Sequence, residues 1–180
     1  DTARDVTSGV IAYACTLSPE HRNLVAVFHI LKSRGAEFLA YMQNLHDCGV
    51  ELARNAAAPY LVESPPRSVW ETLNTASTQV GQLMEPDGIK HVLSGSDFTW
   101  SDLKHGKTTI YICLPEAMAK RYFRFTRLIF ASAFQALLTL PPSPIWFILD
   151  ELATSLGDQS LDQIETAMSL GRGYGVKLQC

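Results

Sequence analysis

The stretch of residues 145–151 constrains the fold of this chain more than any other. Five apolar residues, Ile-Trp-Phe-Ile-Leu, run directly into two adjacent carboxylates, Asp150 and Glu151, and three prolines precede the run. A continuous apolar run bounded by turn signals is typical of a strand that is buried on both faces. Asp and Glu disfavour strands and are rarely buried unpaired. The sequence therefore predicts a buried strand that ends at the acids.

The acid pair has two interpretations. In open parallel α/β sheets, ligands bind at the carboxyl ends of strands, and nucleotide hydrolases use an acid pair at that place to hold magnesium and the attacking water. A strand that runs into a helix cap or a solvated loop would leave the same residues. The next residues favour the first interpretation. They predict a helix, from a capping-box pattern at Ser160 and Gln163, an apolar stripe at helical spacing and a stop at Gly171. A second strand is predicted after it, at 176–180. This order predicts a right-handed βαβ crossover with parallel strands.

The chain is predicted to contain two domains. Residues 1–94 carry about five apolar stripes at helical spacing, the first starting at Ser18-Pro19-Glu20 and ending at Gly35, and they predict an all-α bundle. Residues 95–180 alternate between β and α patterns, with a strand at 108–114 and a long helix at 116–140. The predicted fold class is α/β with a mostly parallel sheet, preceded by the helical bundle and mostly helical overall.

Composition limits the kinds of partner and site. The formal net charge of −3 gives the whole chain no electrostatic case for nucleic acid, and residues 1–94 carry more acidic than basic groups. The four cysteines are widely scattered, which predicts reduced thiols and no zinc site. No apolar run approaches the ~20 residues that span a bilayer. Because the chain lacks an initiator Met and stops inside the last predicted strand, we expect a soluble piece of a longer protein.

One motif imitates a phosphate-binding loop. His105-Gly106-Lys107-Thr108 looks like the end of the GxxxxGK[ST] pattern, but Ser101 stands where the first glycine belongs. A phosphate-binding loop follows a strand and opens a helix, whereas this motif precedes a predicted strand. We interpret it as a turn, so these 180 residues contain no predicted nucleotide-binding loop.

The long helix at 116–140 combines basic and aromatic side chains. Such a mixture can bind single-stranded nucleic acid. The basic residues Lys120, Arg124 and Arg127 share one helical face, however, and Tyr122 and Phe125 lie mostly on another. A solvated face opposite a packed face explains the pattern better. Arg127 remains a candidate for a charge that reaches a neighbouring subunit's phosphate, as arginine fingers do.

The motifs after residue 94 support a resemblance to a known family. In chain order they are Gly95-Ser96-Asp97-Phe98, Asp102-Leu103-x3-Lys107, Ile110-Tyr111-Ile112-x-Leu114-Pro115, Arg127-Leu128, Phe147-Ile148-Leu149-Asp150-Glu151-x4-Leu156-Gly157 and Gly173-Tyr174-Gly175. This order resembles the type IV secretion coupling proteins, the conjugative TraG/TraD class of hexameric ATPases. The likeness is fairly specific from residue 94 onward, and the helical part matches mainly by position.

The resemblance implies a fold and roles for the acids. In that family an all-α domain is inserted into a RecA-like nucleotide-binding domain after the Walker A loop, which would make 1–94 the substrate-recognition domain and 95–180 a partial RecA-like domain that carries Walker B. Asp150 would hold Mg²⁺ through water, and Glu151 would be the catalytic glutamate that orients the attacking water. The family's glutamine sensor would lie beyond Cys180, since Gln179 comes too early. ATP and Mg²⁺ would be cofactors of the full-length ATPase, and this fragment, lacking Walker A, would bind neither and would not hydrolyse ATP alone.

The resemblance also implies partners and a location. The full-length protein would be membrane-anchored on the cytoplasmic side of the bacterial inner membrane and would assemble as a hexamer. Its partners would be the relaxase or relaxosome, effector or adaptor proteins, single-stranded DNA and components of the secretion channel. The alternative is a stand-alone protein-recognition helical module whose α/β part is a non-catalytic scaffold.

Overall fold

Two compact units make up the chain, Asp1–Ser96 and Asp97–Cys180. The structure is a computed structural model, and it describes residues 2–84, 88–114, 119–148 and 172–179. We call the first unit the helical unit and the second the α/β unit. Each is described by itself.

The helical unit contains six α-helices and two short 3₁₀ turns within its described residues. The predicted all-α character of this region is confirmed. The 3₁₀ turns span Pro19–His21 and Ala58–Tyr60. The helices are α1 (Thr2–Ala14), α2 (Leu24–Lys32), α3 (Gly35–Asp47), α4 (Glu51–Ala57), α5 (Arg67–Met84) and α6 (Ile89–Leu93).

The helix predicted between Ser18 and Gly35 is interrupted. The chain forms a 3₁₀ turn at Pro19–His21 and then begins α2 anew, because the side chain of Asn23 accepts a hydrogen bond of 2.9 Å from the Ala26 N–H. An Asn in extended conformation with this bond is a helix N-cap, and it fixes a fresh start. Gly35, predicted as a stop, is instead the first residue of α3 at φ +61°.

The core of the helical unit centres on three aromatic side chains. Phe38 of α3, Tyr60 and Trp70 of α5 lie with ring centroids 5.2 to 5.8 Å apart in edge-on or tilted arrangements, which aromatic quadrupoles favour. Burial raises the pKa of Tyr60 to about 12, and its hydroxyl donates to the Val69 carbonyl at 3.3 Å. This cluster gives the helical unit its own hydrophobic core.

Helices α1 and α4 approach each other closely at Gly9. A Cβ placed on Gly9 would overlap the Cβ of Ala56 and lie 3.0 Å from the Leu52 carbonyl oxygen. Only glycine therefore allows this approach, and Gly9 sets the distance between the two helices.

The α/β unit contains two helices and a small parallel sheet within its described residues. The helices are α7 (Asp102–His105) and α8 (Ala119–Leu138), the strands are β1 (Ile145–Ile148) and β2 (Val176–Gln179), and a 3₁₀ turn spans Arg172–Tyr174. The strands pair in parallel, from Ile145 beside Val176 to Ile148 beside Gln179. The predicted parallel pairing is therefore confirmed, whereas the crossover helix predicted from Ser160 lies outside the described residues.

Two sequence predictions about strands are wrong. Residues 108–114 are not a strand: no ladder forms there in the described residues, and Tyr111 is 82% exposed. A segment rich in β-forming residues becomes a strand only when a neighbouring strand forms hydrogen bonds with it. The composition of the segment does not show whether such a neighbour exists. The strand β1 is also not buried on both faces, since Trp146 is 57% and Ile148 72% exposed. The described sheet has two strands, so it does not show the larger, mostly parallel sheet that we predicted.

Helix α8 follows its sequence prediction closely. Tyr122 and Phe125 are buried, whereas Arg124 is exposed and holds its guanidinium 5.6 Å from the Phe123 ring. The packed face is thus confirmed at Tyr122 and Phe125 and the solvated face at Arg124, whereas Arg127, also predicted on the solvated face, is partly buried. Within the described part of the chain, no helix combines the length and apolar character that crossing a membrane requires.

Candidate functional site

The predicted site residues follow or flank β1. Asp150 and Glu151 follow this strand after Leu149 in the sequence, and they lie outside the described residues. Arg127 lies on α8 and is partly buried. Any contact of Arg127 with the two acids therefore lies outside the described residues, and what the structure shows is how the strand that leads to the acids is held.

One face of β1 packs on α8. The Phe147 ring lies 5.4 Å from that of Phe130 and 6.3 Å from that of Phe134, measured between centroids. Ile145 on the same face is buried. Side chains alternate between the two faces of a strand. These contacts therefore determine which face of β1 packs on α8 and where along the helix it packs.

The other face of β1 carries an aromatic residue beneath a cation. The Lys177 ammonium of β2 lies 4.8 Å from the centroid of the Trp146 ring, within cation–π range. The register places Lys177 directly beside Trp146. This contact ties the two strands together on the exposed face, where it contributes about 0.5–1 kcal/mol.

The beginning of the parallel pair is built on Gly175. The Ser143 N–H donates to the Tyr174 carbonyl at 3.3 Å, and the Ile145 N–H donates to the Gly175 carbonyl at 3.0 Å. Gly175 has φ +79°, and a Cβ there would overlap the Ser143 carbonyl. Glycine is needed here for its backbone conformation and for the close approach.

The carboxyl ends of β1 and β2 lie at the same edge of the sheet. Ile148 pairs with Gln179 in a parallel register, and Asp150 follows Ile148 by two residues in the chain. This edge is where open α/β sheets bind ligands. Carboxylate oxygens are ligands that Mg²⁺ prefers, and one or two of them with water are the usual protein contribution. The donor chemistry at the end of β1 therefore fits magnesium.

The turn at Gly106 and Lys107 has the wrong context for a phosphate cradle. Helix α7 ends at His105, and Gly106 continues in extended conformation at φ −141° with its N–H donated to the Asp102 carbonyl. Lys107 and Thr108 are exposed after it. In the described residues the motif closes a short helix and opens none. Nor does any group of three or more His, Cys, Asp or Glu side chains come together there as a metal site.

The chain matches a known family over most of its length. The model of the family "Type IV secretory system Conjugative DNA transfer" matches residues 72–180. The chain belongs to this family. The match includes β1, β2 and α8, and it begins within α5 of the helical unit.

Two curated members of the type IV secretion system resemble the chain at lower identity. The type IV secretion system-coupling proteins VirD4 of Bartonella quintana (strain Toulouse) and of Bartonella henselae (strain ATCC 49882) are each 28% identical over 107 residues. These alignments cover 58% of this chain and 16% of each relative. The chain therefore spans about a sixth of the length of these relatives. No solved structure matches it.

The role of two residues that support β1 depends on contacts that the sequence does not show. Lys104 bonds to carbonyls 33 to 37 residues further along the chain, a distance at which no local pattern operates. Gly175 belongs to a glycine-containing turn that the sequence does show, but the contact with Ser143 that makes glycine necessary depends on the parallel pairing.

Proposed function

We propose that the full-length protein containing this sequence is an ATP-driven coupling protein that delivers DNA or protein substrates to a type IV secretion channel. Family membership over residues 72–180 supports a role in conjugative DNA transfer. The observation that carries the ATPase assignment is the strand β1, parallel to β2, followed after one residue, Leu149, by Asp150 and Glu151. In this proposal residues 95–180 form part of a RecA-like domain, and the subunits act as a hexamer.

The two acids have different tasks in the proposed reaction. Asp150 would hold Mg²⁺ through a water molecule. Glu151 would orient the attacking water and accept its proton as the bond to the γ-phosphorus forms, while the bond from that phosphorus to the β–γ bridging oxygen breaks and ADP leaves. Bound Mg²⁺ neutralises charge on the phosphates, so catalysis is mostly positioning and electrostatics. In this proposal the phosphate cradle belongs to a part of the full-length protein upstream of residue 1. Arg127 would contact a phosphate bound by the neighbouring subunit.

The helical unit is proposed to recognise the transported substrate or an adaptor. The family match begins at residue 72 and leaves α1 to α4 outside it, and the unit has a hydrophobic core of its own. Both features suit a separate recognition domain. Its acidic balance favours a protein partner, such as an adaptor, an effector or the relaxase, over bare single-stranded DNA. The full-length protein is proposed to sit on the cytoplasmic side of the inner membrane.

The substitution Glu151→Gln in the full-length protein tests the catalytic assignment. Gln keeps the size of the side chain but removes the base, and a positioned general base typically contributes 10²–10⁴-fold. ATP turnover should therefore fall by about two orders of magnitude or more, while binding of a fluorescent ATP analogue stays within about twofold. The matched control is Glu165→Gln, which makes the same change at another glutamate, within residues 152–171.

The outcome also separates the motor from a recognition module. Unchanged turnover in Glu151→Gln would refute the role of this residue. If the full-length protein also bound no ATP analogue, the α/β unit would be a scaffold and the helical unit the functional part.

A further inference from the structure

The side chain of Lys104 joins two distant parts of the α/β unit. Its ammonium donates hydrogen bonds to the carbonyls of Leu137 at 2.8 Å, Leu140 at 3.1 Å and Pro141 at 2.7 Å. The lysine is in α7, directly before the Gly106 turn, and the three acceptors end α8 and begin the connection to β1. All three donors of one ammonium group are thereby engaged.

Leu137 lies in the last turn of α8, and its carbonyl also accepts a hydrogen bond of 3.4 Å from the Leu140 N–H. Leu140 and Pro141 follow the helix in the connection. The last four carbonyls of an α-helix have no intrahelical donor, and the negative end of the helix dipole favours a cation there. The prolines at 141, 142 and 144 also lack N–H groups, so the connection has few donors of its own. Partial desolvation lowers the pKa of Lys104, whereas three carbonyl acceptors favour the charged form.

The connection that Lys104 holds leads directly into β1. The Leu140 and Pro141 carbonyls accept hydrogen bonds from the lysine. A little further along the connection, the N–H groups of Ser143 and Ile145 donate to the carbonyls of the Tyr174–Gly175 turn. The segment between α8 and β1 is therefore fixed on one side by a side chain and on the other by the neighbouring strand. Together these hydrogen bonds restrict the position at which β1 begins.

We propose that Lys104 is a positioning residue, whose ammonium locks the connection between α8 and β1 and thereby sets where the strand presents the acids that follow it. The inference rests on the proposed function, since it assigns those acids to catalysis. A misplacement of about 1 Å can cost on the order of a hundredfold in rate even when it arises far from the reacting atoms. Loss of the lock should therefore appear in turnover more than in nucleotide binding.

Lys104→Met in the full-length protein removes the donors and keeps an unbranched stem of similar length. Lys107→Met is the matched control, because Lys107 lies three residues away and is exposed. Two quantities are measured for each variant: kcat and KM for ATP, and hydrogen exchange by mass spectrometry over residues 139–148. For Lys104→Met we expect kcat to fall about tenfold with KM within about twofold, and exchange over 139–148 to speed up while α1 to α5 keep their protection.

Lys104→Arg keeps the charge and several donors, and it should recover most of the exchange protection and part of kcat. If Lys104→Met matches Lys107→Met in both measurements, the proposal is wrong. Faster exchange with an unchanged kcat would overturn it as well, because the lysine would then only stabilise the fold. If Lys104→Met does not fold, Lys104→Gln, which is shorter and uncharged, takes its place, and wild-type kcat together with wild-type exchange in that variant would reject the lock.

Turnover that persists in Glu151→Gln is a different failure. In that case the catalytic role of the acid is lost, and the exchange data on Lys104→Met still decide whether the lysine holds the connection.

Discussion

Gly175 does two things that another residue could do only at a cost. It adopts φ +79° at the beginning of β2, and its Cα packs against the backbone of Ser143 in the connection that precedes β1. An L-residue in the left-handed region loses roughly 1–2 kcal/mol, and overpacking adds about 1–3 kcal/mol. The Gly175 carbonyl accepts the first hydrogen bond of the parallel ladder, from the Ile145 N–H. The pairing of β1 with β2 therefore begins at this position.

Gly175→Ala should therefore destabilise the α/β unit by about 2 kcal/mol or more. Urea unfolding of the 180-residue chain, followed by fluorescence and by hydrogen exchange at residues 143–148, measures the loss. Gly173→Ala is the control, since nothing lies within 4 Å of a Cβ at Gly173. Equal midpoints for the two variants would contradict the close approach.

At the scale of elements, local signals and distant partners account for different parts of the fold. The long helix predicted at 116–140 is α8 (Ala119–Leu138), since apolar spacing and the prolines around it are signals within the segment itself. The start of α2 depends on the Asn23 cap, which lies inside the single helix that the spacing predicts between Ser18 and Gly35. The extended residues 108–114 and the exposed face of β1 could not be predicted, because both depend on which other strands or helices lie beside them.

The same division applies to the candidate site. Asp150 and Glu151 can be recognised in the sequence, because two charged residues directly after an apolar run form a local pattern. Lys104 does not stand out, because an exposed lysine and one with three carbonyl partners look identical in sequence. Their difference depends on residues more than thirty positions away, which only the fold of the α/β unit brings near.

At the scale of the whole molecule, charge bears on the choice of substrate. The formal net charge is −3, and the helical unit contributes to the acidic excess. Proteins that bind DNA without sequence preference do so through phosphate contacts, with Kd of about 10⁻⁴–10⁻⁶ M at physiological salt. We expect residues 1–96 to bind a single-stranded oligonucleotide more weakly than about 100 μM, even at low salt.

Fluorescence anisotropy of a labelled oligonucleotide measures this affinity at 20 mM and 200 mM salt, with the 180-residue chain titrated in parallel. A Kd tighter than about 1 μM that weakens at the higher salt would show phosphate binding and would contradict a protein partner as the main ligand of the helical unit.

DNA transfer between cells tests the central claim most directly. A donor strain that lacks the full-length protein is complemented with the wild-type protein, with Glu151→Gln or with the control Glu165→Gln, and transfer is counted at equal protein levels. If Glu151 serves ATP-driven coupling, Glu151→Gln should lower the transfer frequency by about two orders of magnitude or more, and Glu165→Gln should transfer like the wild type. Wild-type transfer by Glu151→Gln would contradict the account.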